Sequence, residues 1–386
     1  MSGIDINQLL SEMVRRKASD LYLTFQCTPA LRIADAILPV GEKVLEDDDL
    51  ESLFRQITSE MQRDEFMSTL ELNAALSWQD ASRFRVNVLR QQGHLAIVIR
   101  RIQMEIPGLQ ELSLPQMYGD IVMMKRGLVL IVGPTGSGKT TSLAAMVGHR
   151  NKYGAGHIIT VEDPIEFVHK HDQCIITQRD VGLDTYSYAI ALKNALRQRP
   201  DMVVIGEVRD REVMEQAIHF AETGHLCVAT LHANNSSQAI ERVLNFFPEE
   251  RHPQILVNLA LNLRAVLSQR LVRNLRGGRT LALELMLNNG LIKQLIEENK
   301  IRHIREMIEK GSLEGMHTFD QHLYQLLRDE VISEEVAISE ADNPSNLRLR
   351  VTNDRNATRI SHEMMVKKSN EAELRAGTKK AEPSGF

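Results

Sequence analysis

The segment GPTGSGKT, residues 133–140, has the residue types and spacing of a loop that binds phosphate groups. It fits the pattern G-x-x-x-x-G-K-[ST], follows the strand-like run GLVLIV and precedes a helical pattern. Glycines let the backbone curl so that successive N–H groups face phosphate oxygens. We expect the Lys139 amine to span the β- and γ-phosphates and the Thr140 hydroxyl to ligate Mg²⁺. The sequence therefore predicts a site for ATP and Mg²⁺.

Two acidic residues lie at the ends of predicted strands beyond this loop: Glu162 in ITVEDPIEF and Glu207 in MVVIGEVRD. In a sheet with helices on both faces, the carboxyl ends of parallel strands open on the ligand crevice. An acid there can serve the Mg²⁺ shell or orient the attacking water. Glu207 is the second candidate Mg²⁺ ligand, and the sequence leaves open whether Glu162 or Glu207 is the base. For Asp163 and Glu166 a structural role is favoured.

Two histidines frame a third predicted strand in GHLCVATLHANN, residues 224–235. His225 and His232 are seven residues apart, about 23 Å in an extended strand, so they cannot ligate one ion. His232 should lie at the carboxyl end of the strand, where it can sense the γ-phosphate. His225 should lie at the far edge in a cap or an interface, and Cys227 should pack in the core.

Five arginines cluster on a predicted hairpin nearer the amino terminus, namely Arg83, Arg85, Arg90, Arg100 and Arg101. Residues two apart in a strand share a face, so Arg83 and Arg85 can point together at a phosphate across a crevice between domains. A basic hairpin that faces solvent is the alternative for any single arginine.

The elements that position these residues fall into two domains. Residues 1–103 read as a small α+β domain, with a helical stripe over 5–17 and two strands around a turn at Gln91–Gly93. Residues 104–115 read as a linker, because this stretch contains two prolines and a glycine.

Residues 116–345 alternate strands and helices, which predicts an α/β fold with a mainly parallel sheet. The predicted strands are 127–132, 157–161, 174–178, 202–206, 226–231 and 281–287. The predicted helices are 139–150, 185–198, 211–222, 236–246 and 253–271, with more helix over 291–337. Periodicity is lost over 346–386, where nine Lys/Arg against five Asp/Glu predict a flexible basic tail, either solvated or a docking arm.

Bulk composition excludes several classes of protein. The formal net charge of −5 gives no general attraction to nucleic acid or to an anionic membrane. Three cysteines, far apart and without a CxxC pair, favour a reducing cytosol. The amino terminus does not read as a signal peptide, and no window approaches the ~20 apolar residues of a transmembrane helix. We expect membrane association only through a partner.

In this order and spacing the motifs resemble those of the type IV pilus retraction ATPases, the PilT/PilU family of the secretion-ATPase superfamily. KASDLYLT, SRFRVNVL, GPTGSGKTT, TVEDPIEF, LRQRPDMVVIGEVRD and AETGHLCVATLHANN carry the resemblance, which covers about residues 5–340. It implies a PAS-like amino-terminal domain and a RecA-like P-loop ATPase domain in a ring of six.

The resemblance also assigns site residues. TVEDPIEF corresponds to the aspartate box, VVIGEVRD to the Walker B motif and the segment with His225 and His232 to the histidine box. Arg83, Arg85 and Arg100 would contact nucleotide phosphate. The Walker A residues that would bind ATP are Gly133, Pro134, Thr135, Gly136, Ser137, Gly138, Lys139, Thr140 and Thr141.

Two departures resemble the PilU branch of accessory retraction ATPases. Leu291, Ile292 and Lys293 stand where PilT-type members carry Ala-Ile-Arg, and the chain runs past the usual end. The tetracysteine zinc module of many pilus-extension and type II secretion ATPases is missing, which argues against those relatives. The resemblance implies a PilT-like sister ATPase and an inner-membrane platform protein as partners.

The favoured interpretation is a homohexameric, Mg²⁺-dependent ATPase motor at the cytoplasmic face of the inner membrane that powers or assists pilus retraction. A pilus-assembly or type II secretion ATPase is the first alternative. A nucleic-acid translocase is another, although the net negative charge and the lack of an aromatic and basic groove motif weigh against it. A third is a non-motor subunit that binds ATP only to assemble.

Overall fold

The computed structural model describes residues 4–34, 36–78, 82–102 and 105–354. The amino-terminal part contains one six-stranded sheet and three helices. Its elements are α1 (Ile6–Arg15), β1 (Asp20–Thr24), β2 (Ala30–Ile33), β3 (Ala36–Pro39), α2 (Asp47–Ile57), α3 (Glu60–Thr69), β4 (Glu71–Trp78), β5 (Ser82–Gln91) and β6 (His94–Ile102). The strand order is β3-β2-β1-β6-β5-β4, and every neighbouring pair is antiparallel.

Alternation of apolar and polar residues builds this first sheet. In β5 the side chains of Phe84, Val86 and Val88 are fully buried, whereas Arg83 and Arg85, which alternate with them, are half-buried. The apolar stripes of α1 and α2 complete the same core. The predicted hairpin turn is confirmed, since β5 ends at Gln91 and β6 begins at His94. The predicted boundary at residues 103–104 lies outside the described residues.

The second sheet has seven strands and begins after a connecting segment. Its strands and helices are α4 (Gln116–Val122), β7 (Gly127–Val132), α5 (Lys139–Tyr153), β8 (Gly156–Glu162), β9 (Cys174–Asp180), α6 (Tyr188–Ala195), β10 (Met202–Ile205), α7 (Arg211–Glu222), β11 (Leu226–Leu231), α8 (Ser236–Leu244), α9 (His252–Asn262), β12 (Leu263–Arg273) and β13 (Arg279–Leu287). The strand order is β13-β12-β7-β11-β10-β8-β9. All neighbouring pairs are parallel except β12 and β13. The predicted mixed α/β fold, with a mainly parallel sheet and a smaller α+β part, is confirmed.

The central strands of this sheet are buried on both faces. Every residue of β7 and of β11 is buried, as expected for parallel strands covered by helices on either side. Leu128, Leu130 and Val132 pack on one face, and Val129 and Ile131 pack on the other. These apolar runs fix the strands whose carboxyl ends form the candidate site.

The predicted helix over 253–271 is wrong beyond its first half. Helix α9 ends at Asn262, and the following residues form β12 between β7 and β13. Because β12 is mostly buried on both faces, it lacks the alternation that marks a half-exposed strand. Its apolar residues also fit a helical period, so the pattern alone could not separate the two structures.

The cysteines are distributed between core and surface. Cys227 lies in the core of β11, as expected, and burial raises the pKa of its thiol. Cys174 is buried in β9, whereas Cys27 is exposed between β1 and β2. Across the described part of the chain, no helix has both the length and the apolar character needed to cross a bilayer.

The carboxyl-terminal helices pack beside β12 and β13. They are α10 (Gly290–Glu297), α11 (Ile304–Lys310), α12 (Phe319–Arg328), α13 (Glu334–Ser339) and a last described helix over 344–354. Leu347 and Val351 of that last helix are buried in one cluster with Phe319 and Tyr324. The predicted start of the tail at 346 is therefore corrected, because this stretch is packed helix. The rest of the predicted tail, 355–386, lies outside the described residues.

Candidate nucleotide-binding site

The loop between β7 and α5 has a curled backbone that only glycine fits at several positions. Gly136 and Gly138 have φ angles of 75° and 85°, in the left-handed region. A Cβ atom on Gly133 would lie 2.4 Å from both the Gln269 carbonyl oxygen and the Ser137 Oγ. The loop is thus packed closely against β12 on one side, and the glycines allow this approach.

Lys139, the first residue of α5, folds back over this loop. Its amine donates hydrogen bonds to the carbonyl oxygens of Gly133 at 2.8 Å and Pro134 at 2.9 Å. Burial lowers the pKa of Lys139, and the negative charges of Glu207 and Glu166 oppose that shift. The ammonium group therefore lies at the loop and interacts electrostatically with Glu207 and Glu166.

Glu162, at the end of β8, is a buried carboxylate with defined hydrogen-bond donors. The Thr160 hydroxyl donates to its Oε1 at 2.7 Å, and the Gln178 amide donates to the same atom at 3.2 Å. Burial raises the pKa of Glu162 to about 7, although these two hydrogen bonds act in the opposite direction. Glu162 lines a small cleft together with Thr140 and His169. Sequence reasoning missed Thr160 and Gln178. Only the pairing of β8 with β9 brings Gln178 to the carboxyl group, whereas Thr160 lies two residues before Glu162 on the same strand and so on the same face.

Glu207 lies two residues beyond β10 and contacts two basic side chains. His232 Nε2 lies 2.8 Å from its Oε1, and Arg209 Nε donates to its Oε2 at 2.6 Å. Arg209 also donates to Asp163 Oδ2 at 2.8 Å. The adjacent parallel strands β10 and β11 explain this arrangement, since their carboxyl ends lie side by side. Arg209 was missed by sequence reasoning, although the GEVRD segment places it two residues after Glu207.

The two histidines occupy opposite ends of β11, as predicted from strand geometry. His232 borders a cleft with Gly133 and Pro134 of the loop. The His225 carbonyl accepts a hydrogen bond from the Gly127 N–H at the start of β7, and its Nδ1 lies 3.1 Å from the Thr223 hydroxyl. His225 is therefore remote from the candidate site.

The predicted arginines do not converge on one point. The charges of Arg85 and Arg83 lower the pKa of Asp180, whereas burial, the larger effect, raises it. Asp180 ends β9 and is the register partner of Glu162, so these two arginines lie towards the carboxyl edge of the second sheet. Arg100 instead pairs with Asp20 of β1 at 2.8 Å within the first sheet.

The donor set at this edge suits Mg²⁺. Mg²⁺ prefers oxygen ligands and keeps several waters or phosphate oxygens, so a hydroxyl and a carboxylate are sufficient protein ligands. Thr140 supplies the hydroxyl at the start of α5, and Glu207 supplies the carboxylate. In the described ranges no group of three or more His, Cys, Asp or Glu side chains forms a self-contained metal site. The residues present therefore fit Mg²⁺ bound together with phosphate.

Comparison with known proteins gives close relatives along nearly the whole chain. Residues 3–357 match the family described as "Type II/IV secretion system protein". The chain is 45% identical over 349 residues to the type IV pilus ATPase PilU of Pseudomonas aeruginosa, covering 90% of this chain and 91% of the relative. It is 37% identical over 343 residues to the pilus retraction ATPase PilT of the same organism, covering 89% and 100%.

A solved structure shares this fold. The crystal structure of the pilus retraction motor PilT with bound ADP superposes with a TM-score of 0.84 at 36% identity, covering 89% of this chain and 99% of that one. The expected resemblance is confirmed, and the identity to PilU exceeds that to PilT. The chain belongs to the type II/IV secretion ATPase family and resembles its pilus members PilT and PilU, PilU more than PilT.

Proposed function

We propose that this protein is a Mg²⁺-dependent ATPase motor that assists the retraction of type IV pili, in the manner of PilU. The observation that carries the proposal is the 2.8 Å contact between His232 and Glu207 beside the phosphate loop. It joins an acid at a strand end to the segment that leads into α8, so a change at the phosphates can move a helix. The names of the relatives PilU and PilT support the biological setting.

Residues 133–141 form the triphosphate cradle in this proposal. The Lys139 amine now bonds the carbonyls of Gly133 and Pro134, and it exchanges them for β- and γ-phosphate oxygens when ATP binds. Mg²⁺, when bound, offsets negative charge on the phosphate oxygens, and Thr140 and Glu207 are the residues that would hold it.

Glu162 is the residue that we propose as the base for the attacking water. A general base works best when its pKa lies near the operating pH, and burial raises the pKa of Glu162 to about 7. The hydrogen bonds from Thr160 and Gln178 fix the carboxyl group in one orientation. Glu207 already contacts His232 and Arg209, so we assign it to Mg²⁺ binding and, through His232, to sensing the γ-phosphate.

The motor step follows from loss of the γ-phosphate. His232 then keeps only its Glu207 partner, and the segment 232–236 relaxes with α8. Arg83 and Arg85, together with Arg100 once it leaves Asp20, grip the nucleotide from the first domain and release it after hydrolysis. In a homohexamer, sequential closures move an inner-membrane platform protein, so the protein acts at the cytoplasmic face of the membrane beside a PilT-like ATPase.

The decisive experiment is pilus retraction in a strain lacking this protein, with and without its PilT-like ATPase. In the presence of the sister ATPase, we expect retraction against load to be weaker in the strain that lacks this protein. The wild-type chain should restore retraction, and Glu207→Gln should not. Glu306→Gln, in an exposed pair with Lys310, is the matched control and should restore retraction. Full restoration by Glu207→Gln would overturn the proposal. Failure to extend pili at all would favour the assembly-ATPase alternative.

A further inference from the structure

Glu284 is a buried carboxylate in the interior of β13 that the proposed reaction does not use. Its side chain is almost wholly buried, at 2% exposure. Its Oε1 accepts hydrogen bonds from the Ser236 N–H at 2.8 Å, the Ser236 hydroxyl at 2.7 Å and the Ser268 hydroxyl at 3.3 Å. Burial raises the pKa of Glu284, and these hydrogen bonds oppose the shift. Burying a carboxyl group is unfavourable unless it is well hydrogen-bonded, so we expect the hydrogen bonds of Glu284 to serve a specific role.

The group that Glu284 binds is the start of the helix that follows His232. Ser236 is the first residue of α8, four positions after His232. The intervening segment is fixed at two more points: Asn235 accepts from the Gln238 N–H at 2.9 Å, and Arg270 donates to the Asn234 carbonyl at 3.4 Å. The position of His232 therefore depends on how firmly the first turn of α8 is attached to the sheet.

The same part of the sheet also supports the phosphate loop. Gln269, next to Ser268 on β12, is fully buried and donates from Nε2 to the Ser137 carbonyl at 3.0 Å. Adjacent residues of a strand face opposite ways, so β12 contacts the loop through Gln269 and α8 through Ser268, whose register partner on β13 is Glu284. The phosphate loop and the first turn of α8 are therefore both bonded to β12.

We propose that Glu284 is a positioning residue for ATP hydrolysis: it anchors the first turn of α8 so that His232 remains in contact with Glu207. The inference rests on the proposed function, because it acts through His232. Glu284 does not touch the nucleotide, so its loss affects turnover rather than nucleotide binding.

Glu284→Met in the purified full-length chain tests this idea, since methionine fills a similar volume without accepting the Ser236 hydrogen bonds. We expect kcat to fall about tenfold or more from misplacement of His232, with the Kd for a fluorescent ADP analogue unchanged. Glu284→Gln should restore most of kcat, because its amide oxygen accepts the same bonds. Asn289→Ala, which removes the cap of α10 at the Ile292 N–H, is the matched control and should leave kcat unchanged.

A double-mutant cycle separates positioning from a general structural effect. In a His232→Ala background, Glu284→Met should lower kcat little further, because its target is already gone. Additive losses, or a normal kcat for Glu284→Met beside an impaired His232→Ala, would overturn the inference while leaving the proposed function standing. A normal kcat for His232→Ala would overturn both this inference and the sensing step. If Glu284→Met does not fold, Ser236→Ala removes one donor and should show the same cycle.

Discussion

Lys139 lies where the loop backbone and the acids of the sheet edge meet. Its two carbonyl hydrogen bonds hold the ammonium over the loop, and Glu207 and Glu166 act on its charge. At the scale of single residues, the identity of this lysine and of the strand-end acids was readable from the sequence. Their hydrogen-bond partners were only partly readable. Gln178 reaches Glu162 only through the pairing of β8 with β9, whereas Thr160 and Arg209 each lie two residues from their acid, a spacing that does not show which bonds form.

Replacing Lys139 by alanine should abolish ATP hydrolysis, because the proposal assigns to this amine the offset of charge on the β- and γ-phosphates. Phosphate release from the purified protein measures the effect. Lys152→Ala, exposed in the last turn of the same helix, should hydrolyse ATP normally. Appreciable turnover by the Lys139 variant would contradict the site assignment.

ATP hydrolysis should rise with pH through about 7, since Glu162 must be ionised to accept a proton and burial raises its pKa to about 7. Glu162→Gln should lose turnover at every pH. The test is kcat against pH from 5.5 to about 8.5, bracketing that pKa. A flat profile for the wild type would contradict Glu162 as the base.

The same burial predicts a pH-dependent stability. The pKa of Glu162 in the folded protein, about 7, lies above its ordinary value of 4.5, so the folded state binds the proton more tightly. This contribution is complete below pH ~4.5 and is lost as pH rises through about 7, up to about 3 kcal/mol. Urea unfolding of Glu162→Gln should lack that decline. An identical pH dependence in both proteins would refute the assignment.

At the scale of elements, the parallel strands and their motifs were predictable and β12 was not. The apolar runs of β7 and β11 have the length of strands, and they end at the phosphate loop and at His232 respectively. The run over α9 and β12 is long, apolar and free of glycine or proline after residue 253, so nothing local marks the change at Leu263. Gln269, on β12, was missed for the same reason. Glu284 lies on the predicted strand 281–287, but its partners Ser236 and Ser268 reach it only through tertiary packing.

Gln269→Leu should weaken nucleotide binding about tenfold, or about 1.4 kcal/mol, because a buried donor to the loop is lost. The affected bond joins Gln269 Nε2 to the Ser137 carbonyl. Titration with a fluorescent ADP analogue gives the Kd. Gln294→Leu, on the exposed face of α10, serves as control. An unchanged Kd for the Gln269 variant would show that the loop keeps its shape without β12.

At the scale of the whole molecule, two truncations test whether the helix over 344–354 stabilises the fold. Removal of 355–386 serves as the reference for removal of 344–386. Removing 344–386 should lower the melting temperature, because burial of Leu347 and Val351 is lost, at about 1.5–3 kcal/mol for each side chain. Differential scanning calorimetry compares the two. Equal melting temperatures would mean that the helix over 344–354 does not stabilise the fold.

The placement of the first domain could not be read from the sequence, which supplied its arginines but not their partners. Arg85 and Arg83 act on Asp180, and Arg100 is engaged by Asp20. Such pairings depend on tertiary geometry that no local pattern encodes.

The distribution of the three thiols has a practical consequence. Cys174 and Cys227 are enclosed by the sheet, while Cys27 faces solvent in the first domain. A maleimide dye should therefore attach to the unaltered chain at a single place, on the domain that closes over the nucleotide in our proposal. Energy transfer from a labelled nucleotide to that dye would follow each closure and opening in real time, without any engineered cysteine.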